Sequence, residues 1–248
     1  MEEQIEGRNP VLEAIKAKRP IHKIFVSHDF DRRGPLGQVV GLAKEAGIPV
    51  EYTDQRALSR LSQTGRSQGV IAVAAAKATV ELDDLFRISK EKGERPFYVL
   101  LDGIEDPQNL GAIIRTAHAA GVHGVIIPTR RAAGLTAAVS RASAGALEYM
   151  QVARVTNIAQ AMERLNKEGV WTVGVDPTGP KSYAEADYRQ GVSLIIGAEG
   201  RGLSHLVREK CEVLVSIPMR GEVASLNASV AGALVMYEAM RQRAKATA

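Results

Sequence analysis

From Phe97 onward, short runs of β-branched and aliphatic residues alternate with longer stretches of helical periodicity. The predicted strands are "FYVLLDG", "GVIIP", "QVARV", "VWTVGVD", "VSLIIG" and "VLVSIP", and a last helix is predicted from about Ser225 to Arg243. Strands that are apolar on both faces and are separated by helices are typical of a parallel sheet covered on both sides. Residues 96–248 are therefore predicted to form one α/β domain, in which ligands bind beyond the carboxyl ends of the strands.

A smaller α/β unit is predicted for residues 1–75. Helical periodicity over residues 9–17 is followed by the strand "IHKIFVS", the helix "LGQVVGLAKEAG", and the strands "PVEYT" and "GVIAVAA". The apolar density then falls in the charged stretch "AKATVELDDLFRISKEKGERP". Residues 76–95 are therefore predicted to form a linker or a short helical connection between two domains.

Composition excludes several classes of protein. The 32 basic and 28 acidic residues give a net charge of +4, which suits an anionic partner such as nucleic acid but is also typical of a solvated surface. The single Cys211 excludes an internal disulfide and a multi-cysteine metal site. The two closest histidines, His118 and His123, match no common ligand spacing, so no metal is expected. The acidic amino terminus and the lack of a long apolar run predict a cytoplasmic protein that does not bind membranes.

The first stretch with candidate functional residues is "DPQNLGAIIRTAHAAG", which follows the first strand of the second domain. Asn109 is expected at the N-cap of a helix, where a cap alone would explain it. Arg115 lies on the same helix, and its side chain leans toward the helix N-terminus, where an anion is favoured. An arginine in this place is a candidate phosphate clamp.

The second stretch is "LIIGAEGRGLS", a buried strand that enters a glycine-rich loop. Its spacing is not the dinucleotide fingerprint, and nothing indicates a pyrophosphate. The glycines either form a tight turn or let the backbone approach a ligand closely, and Glu199 among them is an exposed carboxylate on a constrained loop. A second glycine-containing stretch, "GVDPTGPKS", is interpreted as an ordinary loop, because its two prolines remove N–H donors that a phosphate-binding loop uses.

The third stretch is "IPMRGEVASLNASVAGALVMYEAM", in which a strand leads through a loop into the last helix. A well-capped helix would account for Ser225 but not for Leu226 and Asn227 beside it. Small residues follow in the first turns of the helix. They would let a ligand, or a second copy of the chain, lie close to the helix.

These three stretches, in this order, resemble the three motifs of the SpoU (TrmH-like) RNA ribose methyltransferases of the SPOUT superfamily. The resemblance covers about residues 96–245, and the first domain, from "EGRNPVLEAI", resembles the ribosomal-protein-like RNA-binding module of many members. The arrangement is most similar to members that methylate a guanosine ribose in 23S rRNA. The resemblance implies a deep trefoil knot in the second domain, a homodimer, and S-adenosylmethionine as methyl donor.

The resemblance also implies a role for individual residues. The predicted S-adenosylmethionine contacts are Gly197, Ile217, Met219 and Leu226. The predicted catalytic residues are Asn109, Arg115, Glu199, Ser225 and Asn227. The predicted RNA contacts in the first domain are Lys16, Lys18, Arg19, Lys23, Arg56, Arg60 and Arg66, although such a cluster can also be a solvated face.

Several alternatives stay open at this point. Methylation of tRNA, antibiotic-resistance methylation of rRNA, and a non-catalytic RNA-binding or ribosome-assembly protein are the competing functions. Arg115 is expected to grip a phosphate next to the target ribose, aided by Asn109, because a guanidinium is almost never neutral at pH 7 and makes a poor base. Glu199 could accept the proton or could order its loop.

Overall fold

The computed structural model describes residues 2–222 and 225–246. Val223 and Ala224 of the third motif, and the last two residues of the predicted second domain, lie outside the described residues. The chain divides into two compact units: the first comprises residues up to Ala78 together with Gly134–Tyr149, and the second comprises Thr79–Ala133 and the residues from Met150 onward. The segment Gly134–Tyr149 thus belongs to the first unit, although it lies inside the predicted second domain.

Strands and helices alternate along most of the chain. The strands are β1 (Glu2–Glu6), β2 (Ile21–Ser27), β3 (Val50–Thr53), β4 (Val70–Ala75), β5 (Phe97–Asp102), β6 (Gly124–Pro128), β7 (Val152–Val155), β8 (Trp171–Val175), β9 (Lys181–Ser182), β10 (Val192–Gly197) and β11 (Val213–Ser216). The helices are α1 (Arg8–Lys16), α2 (Pro35–Glu45), α3 (Gln55–Leu61), α4 (Leu82–Glu91), α5 (Pro107–Ala119), α6 (Ala137–Ala142), α7 (Ile158–Lys167), α8 (His205–Lys210) and α9 (Ala228–Ala246).

The first unit contains a four-stranded mixed sheet in the order β1-β4-β2-β3. The strand β4 pairs antiparallel with β1 and β2, whereas β2 and β3 are parallel. Apolar residues of α1, α2 and the sheet, such as Val11, Val39 and Ile24, are fully buried together. The periodicity of the sequence predicted these helices and the strands β2, β3 and β4.

The strand β1 has no counterpart among the predicted strands, because four of its five residues are polar. Tertiary contacts stabilise it instead. It pairs with β4 along its whole length. The carboxylate of Glu6 is fully buried and accepts hydrogen bonds from Ser62 Oγ and Gln63 N, both at 2.6 Å. A buried charge of this kind is tolerated when it is well hydrogen-bonded.

The second unit contains a seven-stranded sheet in the order β7-β6-β5-β10-β8-β11-β9, and every neighbouring pair is parallel. The predicted α/β class with a parallel sheet is thereby confirmed. Strand order reverses direction between β5 and β10, and in open α/β sheets of this kind ligands bind outside the carboxyl ends of the strands. The trefoil knot stays a prediction, because strand order and register do not describe how the chain is threaded.

The segment predicted as a linker, residues 76–95, contains α4. This helix begins after a capping box, in which the side chains of Glu81 and Asp84 each accept from the other's backbone N–H. Leu85 of the helix is fully buried in the core of the second unit. Across the described residues, no helix is long and apolar enough to cross a membrane.

Candidate functional site

The three motifs meet at the carboxyl edge of the parallel sheet in the second unit. α5 follows β5, a tight hairpin over residues 198–202 follows β10, and the loop after β11 leads into α9. Because β5 and β10 are neighbours with parallel register, Asp102 and Gly197 end the two strands side by side. Polar side chains from distant parts of the sequence are therefore brought to one place.

Two helix starts differ from the sequence prediction. α5 begins at Pro107, and its N-cap is Asp106, whose Oδ1 accepts from Gln108 N at 3.0 Å. Asn109 is therefore the third residue of the helix and not its cap, so its side chain is available for other contacts. The reason is that proline is favoured at the first helical position, where its missing N–H costs nothing.

The cap of α9 is Asn227 and not Ser225. Asn227 Oδ1 accepts from Ser229 N at 2.9 Å and from Val230 N at 3.4 Å, which satisfies two N–H groups of the first turn. It also accepts from Ser229 Oγ at 2.6 Å. Since these bonds use only the oxygen of the amide, the Nδ2 group of Asn227 can donate elsewhere.

Asn109, Glu199 and Asn227 form one hydrogen-bonded cluster, which we call the amide–carboxylate cluster. Asn227 Nδ2 lies 2.9 Å from both Asn109 Oδ1 and Glu199 Oε2. Asn109 Nδ2 donates to the same carboxylate oxygen at 3.5 Å, a long contact. One residue of each motif therefore takes part. Both amides reach Oε2, and no hydrogen bond from a described residue reaches Glu199 Oε1.

The hairpin that carries Glu199 requires glycine at its base. Ala198 and Gly202 exchange both backbone hydrogen bonds, at 3.1 and 2.8 Å. A Cβ on Gly197 would lie 2.2 Å from the carbonyl carbon of Gly202, so no side chain fits there. Gly200 has φ +78°, a conformation that side chains rarely adopt. The glycines of the second motif thus close the hairpin tightly beside the cleft.

A cleft lies against this hairpin. All four residues predicted to contact S-adenosylmethionine line it, as do two of the predicted catalytic residues; these are Gly197, Ile217, Met219, Leu226, Glu199 and Ser225. Ile196, Ala228 and Ala231 add further apolar surface. Apolar walls with a few polar groups and exposed backbone are typical of a small-molecule site.

Sequence reasoning missed one wall of this cleft, which is formed by Val175, Asp176 and Pro177. Asp176 is 8% exposed, accepts from Thr178 N at 2.8 Å, and lies 3.5 Å from Arg208 Nε. The stretch "GVDPTGPKS" contains these residues and was interpreted as an ordinary loop. This stretch follows β8 directly, at the same edge of the sheet as the three motifs. That position was the signal by which sequence reasoning could have added it to the predicted ligand site.

Arg115 is exposed on α5 and makes no hydrogen bond or ion pair with any described residue. Its guanidinium is therefore available to an external anion. Asn109 contacts Glu199 and Asn227 rather than Arg115. We expected Asn109 to assist Arg115, but no hydrogen bond joins these two residues.

Two other reactive side chains of the second unit are structural. His123 is 4% exposed; its Nδ1 accepts from Phe97 N at 3.1 Å and its Nε2 lies 3.0 Å from Glu94 Oε2. Burial lowers the pKa of His123, which favours the neutral ring. Burial likewise raises the pKa of the Cys211 thiol to about 12, which makes it a poor nucleophile.

Among the described residues, no group of three or more histidine, cysteine or carboxylate side chains could hold a metal ion.

The first unit presents most of its predicted RNA contacts to solvent. The exposed ones are Lys16, Lys18, Arg56, Arg60 and Arg66, and Lys23 is half-buried. Arg19 differs, because its side chain is only 6% exposed and its donors reach Glu148 Oε1 at 2.8 Å, Glu3 and the carbonyl of Ala75. We therefore remove Arg19 from the predicted RNA contacts, since an arginine engaged by buried carboxylates has no donor left for a phosphate.

Comparison with known proteins agrees with this geometry. The profile of the SpoU rRNA methylase family matches residues 96–237, and that for RNA 2′-O ribose methyltransferase substrate binding matches residues 4–80. The YacO protein of Bacillus subtilis (strain 168), assigned to the TrmH family of tRNA/rRNA methyltransferases, is 46% identical over 237 residues, which cover 96% of this chain and 94% of YacO.

Two solved structures resemble both units. The SpoU methyltransferase AviRb from Streptomyces viridochromogenes, in complex with S-adenosylmethionine, is 29% identical with a TM-score of 0.81, over 98% of this chain and 91% of AviRb. An rRNA methyltransferase from Sinorhizobium meliloti, also bound to S-adenosylmethionine, is 25% identical with a TM-score of 0.76, over 97% of this chain and 87% of that one.

The chain therefore belongs to the SpoU (TrmH) family, and it is an RNA 2′-O-ribose methyltransferase that uses S-adenosylmethionine as methyl donor. The cleft suits this donor. Its apolar walls can enclose an adenine ring, and the cleft lies at the carboxyl ends of β8 and β10, where Asp176 and Glu199 add carboxylates to its lining.

Proposed function

We propose that the RNA substrate is 23S rRNA and that the methylated nucleotide is a guanosine. The observation that carries ribose methylation is the amide–carboxylate cluster, which places an open carboxylate oxygen beside the cleft. The choice of rRNA is supported by the Sinorhizobium meliloti enzyme, which is an rRNA methyltransferase and matches 97% of this chain. The substrate-binding profile over residues 4–80 assigns the first unit to RNA recognition.

In the proposed reaction the ribose 2′-hydroxyl attacks a methyl group. S-adenosylmethionine supplies this methyl on a sulfonium, which is an excellent leaving group. The protein therefore needs mainly to align the attacking oxygen with the methyl carbon and to receive one proton. Ile217, Met219 and Leu226 hold the donor by apolar contact, and Gly197 contributes to the wall of the same cleft.

Arg115 would bind a phosphate next to the target ribose and thereby orient the hydroxyl. A guanidinium carries the five donors that suit a phosphate, and Arg115 has no protein partner among the described residues. Glu199 has two functions in this proposal. Its Oε2 is held by two amides, which orders the hairpin. Its Oε1 accepts the hydrogen bond of the 2′-hydroxyl and then its proton, as the bond from oxygen to the methyl carbon forms and the bond from that carbon to sulfur breaks. Asn109 and Asn227 are positioning residues that act through Glu199.

A homodimer is the second part of the proposal. Three large apolar residues of α9 are unusually exposed: Val230 at 47%, Leu234 at 40% and Tyr237 at 47%. Their spacing of four and three residues places them on one face of the helix. Ala112 and Thr116 of α5 lie beside this face. A second copy of the chain would bury it, as the family resemblance implies, because an exposed apolar stripe is costly in water.

The test is to incubate the protein with labelled S-adenosylmethionine and, separately, unmodified 23S rRNA and unmodified tRNA transcripts, and then to locate the label. A ribose methyl on a guanosine of 23S rRNA is the expected result. A ribose methyl on tRNA alone would keep the chemistry and reject the substrate. Binding of S-adenosylmethionine without transfer to either RNA would also reject the substrate, and absence of binding would favour a non-catalytic RNA-binding protein.

A further inference from the structure

The arginines of the second unit fall into two groups. One group is engaged by carboxylates, hydroxyls or backbone carbonyls; it comprises Arg87, Arg95, Arg164, Arg189, Arg208, Arg241 and Arg243. The other group is exposed and has no hydrogen bond or ion pair with any described residue; it comprises Arg115, Arg130, Arg131, Arg154, Arg201 and Arg220. Within the second group, only Arg115 has already been given a role, as the candidate phosphate clamp of the first motif.

Apart from Arg115, the arginines of the second group lie along one edge of the sheet. Arg130 and Arg131 lie in the loop that follows β6, and Arg154 is the third of four residues in the neighbouring strand β7. Arg201 lies in the hairpin after β10, and Arg220 lies in the loop after β11. All five are therefore at or near the carboxyl edge of the parallel sheet, which is the edge that carries the amide–carboxylate cluster.

Arg131 has an unusual backbone conformation. Its φ is +57°, in the left-handed region that favours glycine. The loop is held on both sides of it, because Thr129 N donates to Val155 O and Ala133 N donates to Ile104 O, both at 2.9 Å. Holding a non-glycine residue in this region costs on the order of 1–3 kcal/mol, so the hydrogen bonds on both sides are what fix the loop in this conformation.

Among the described residues, no carboxylate of the same edge forms an ion pair with these arginines. Asp102 accepts from Ser204 N, Asp106 accepts from Gln108 N, and Glu199 accepts from the two amides. Glu105 and Glu222 are exposed at this edge, and neither forms an ion pair with a described arginine. An arginine that is not paired within the protein keeps its full set of donors for an external anion.

We propose that Arg130, Arg131, Arg154, Arg201 and Arg220 bind phosphates of the substrate RNA on both sides of the target nucleotide. β7 and β11 are five strand spacings apart in the sheet order, or about 24 Å at about 4.8 Å per spacing. That distance corresponds to about seven stacked nucleotides at about 3.4 Å each. The proposal of this RNA surface rests on the proposed function. It adds to that function a set of phosphate contacts formed by residues of the second unit.

The test compares matched pairs of arginine substitutions. The variant Arg130→Gln/Arg131→Gln removes two proposed contacts, and Arg87→Gln/Arg189→Gln removes two paired surface arginines as a control. Affinity for an unmodified 23S rRNA transcript is measured over a range of salt concentrations. The slope of log affinity against log salt is expected to become shallower by about 1.4–1.8 in the first variant, since each phosphate contact contributes about 0.7–0.9. The control is expected to keep the wild-type slope, and both variants should bind S-adenosylmethionine normally.

Arg131→Gly is a second variant that guards against misfolding, because glycine suits the positive φ and should fold at least as well. It should also reduce the slope. A wild-type slope in both Arg130→Gln/Arg131→Gln and Arg131→Gly would overturn this surface, even if the wild-type protein methylates 23S rRNA. Conversely, a reduced slope in a protein that methylates no RNA would support the surface and reject the proposed function.

Discussion

Asn227→Asp separates the two tasks of Asn227. The aspartate keeps an oxygen that can cap α9, where Oδ1 accepts from Ser229 N and Val230 N. It replaces the donor 2.9 Å from Glu199 Oε2 by a second carboxylate oxygen. Two unit charges at that separation repel by about 1.4 kcal/mol at the dielectric constant of water. A hydrogen bond to a charged acceptor contributes about 1.5–3 kcal/mol in a shielded site. Because Glu199 is exposed, solvent reduces both the repulsion and the hydrogen-bond contribution, and we take about 1.5–3 kcal/mol for their sum.

This free energy corresponds to a fall of about 10- to 150-fold in kcat/KM if Glu199 must be held in place in the transition state. The assay is the initial rate of methyl transfer to RNA, together with urea unfolding of the same variant. Because the cap is kept, the free energy of unfolding should fall by no more than the about 1.5–3 kcal/mol of the altered contact with Glu199. Asn227→Ala should lose activity and, in addition, about 0.5–2 kcal/mol of stability through the missing cap.

A matched control is Asn157→Asp. Asn157 caps α7, with its Oδ1 accepting from Gln160 N at 3.2 Å, and no carboxylate of a described residue is bonded to its amide. The same chemical change should therefore leave the unfolding midpoint and the S-adenosylmethionine affinity unaltered. Methyl transfer by Asn227→Asp within twofold of the wild-type rate would refute the argument that the amide–carboxylate cluster positions Glu199.

Three further predictions concern the cleft, the phosphate clamp and the dimer. Gly197→Ala should abolish S-adenosylmethionine binding measured by calorimetry, because its Cβ would lie 2.2 Å from the backbone of Gly202; normal binding would contradict the tight hairpin. Arg115→Lys should keep S-adenosylmethionine affinity but reduce turnover on RNA by about 10-fold or more, since lysine lacks the bidentate fork; near-full turnover would remove the clamp. Leu234→Glu should yield monomers in sedimentation experiments, whereas Leu206→Glu on the exposed surface of α8 should not; unchanged sedimentation of Leu234→Glu would argue against α9 as the dimer face.

The sequence predicted the regular parts of the fold well. The six strands predicted in the second domain are all present as β5, β6, β7, β8, β10 and β11. Periodicity is a local property, so it can be found without knowing which segments meet. Elements whose stability comes from distant partners were missed, such as β1, which depends on its pairing with β4.

The candidate site shows the same division. The sequence pointed to Asn109, Glu199 and Asn227, since polar residues at the start of helices and among glycines need an explanation. It did not predict that one carboxylate oxygen binds both amides, and it assigned the helix caps to Asn109 and Ser225. Capping depends on where the chain turns, which is set by the strands before and the packing after each helix.

By itself, the sequence determined the α/β class, the parallel sheet and the three motifs, because each depends on the order and chemistry of neighbouring residues. Only the tertiary structure decided which groups are available for function. It engaged Arg19 with the buried carboxylate of Glu148, and it left Arg130 and Arg131 without a partner among the described residues, at the edge that carries Glu199. The physical reason is that availability depends on burial and on partners far away in the chain, and neither can be deduced from residue type or local spacing.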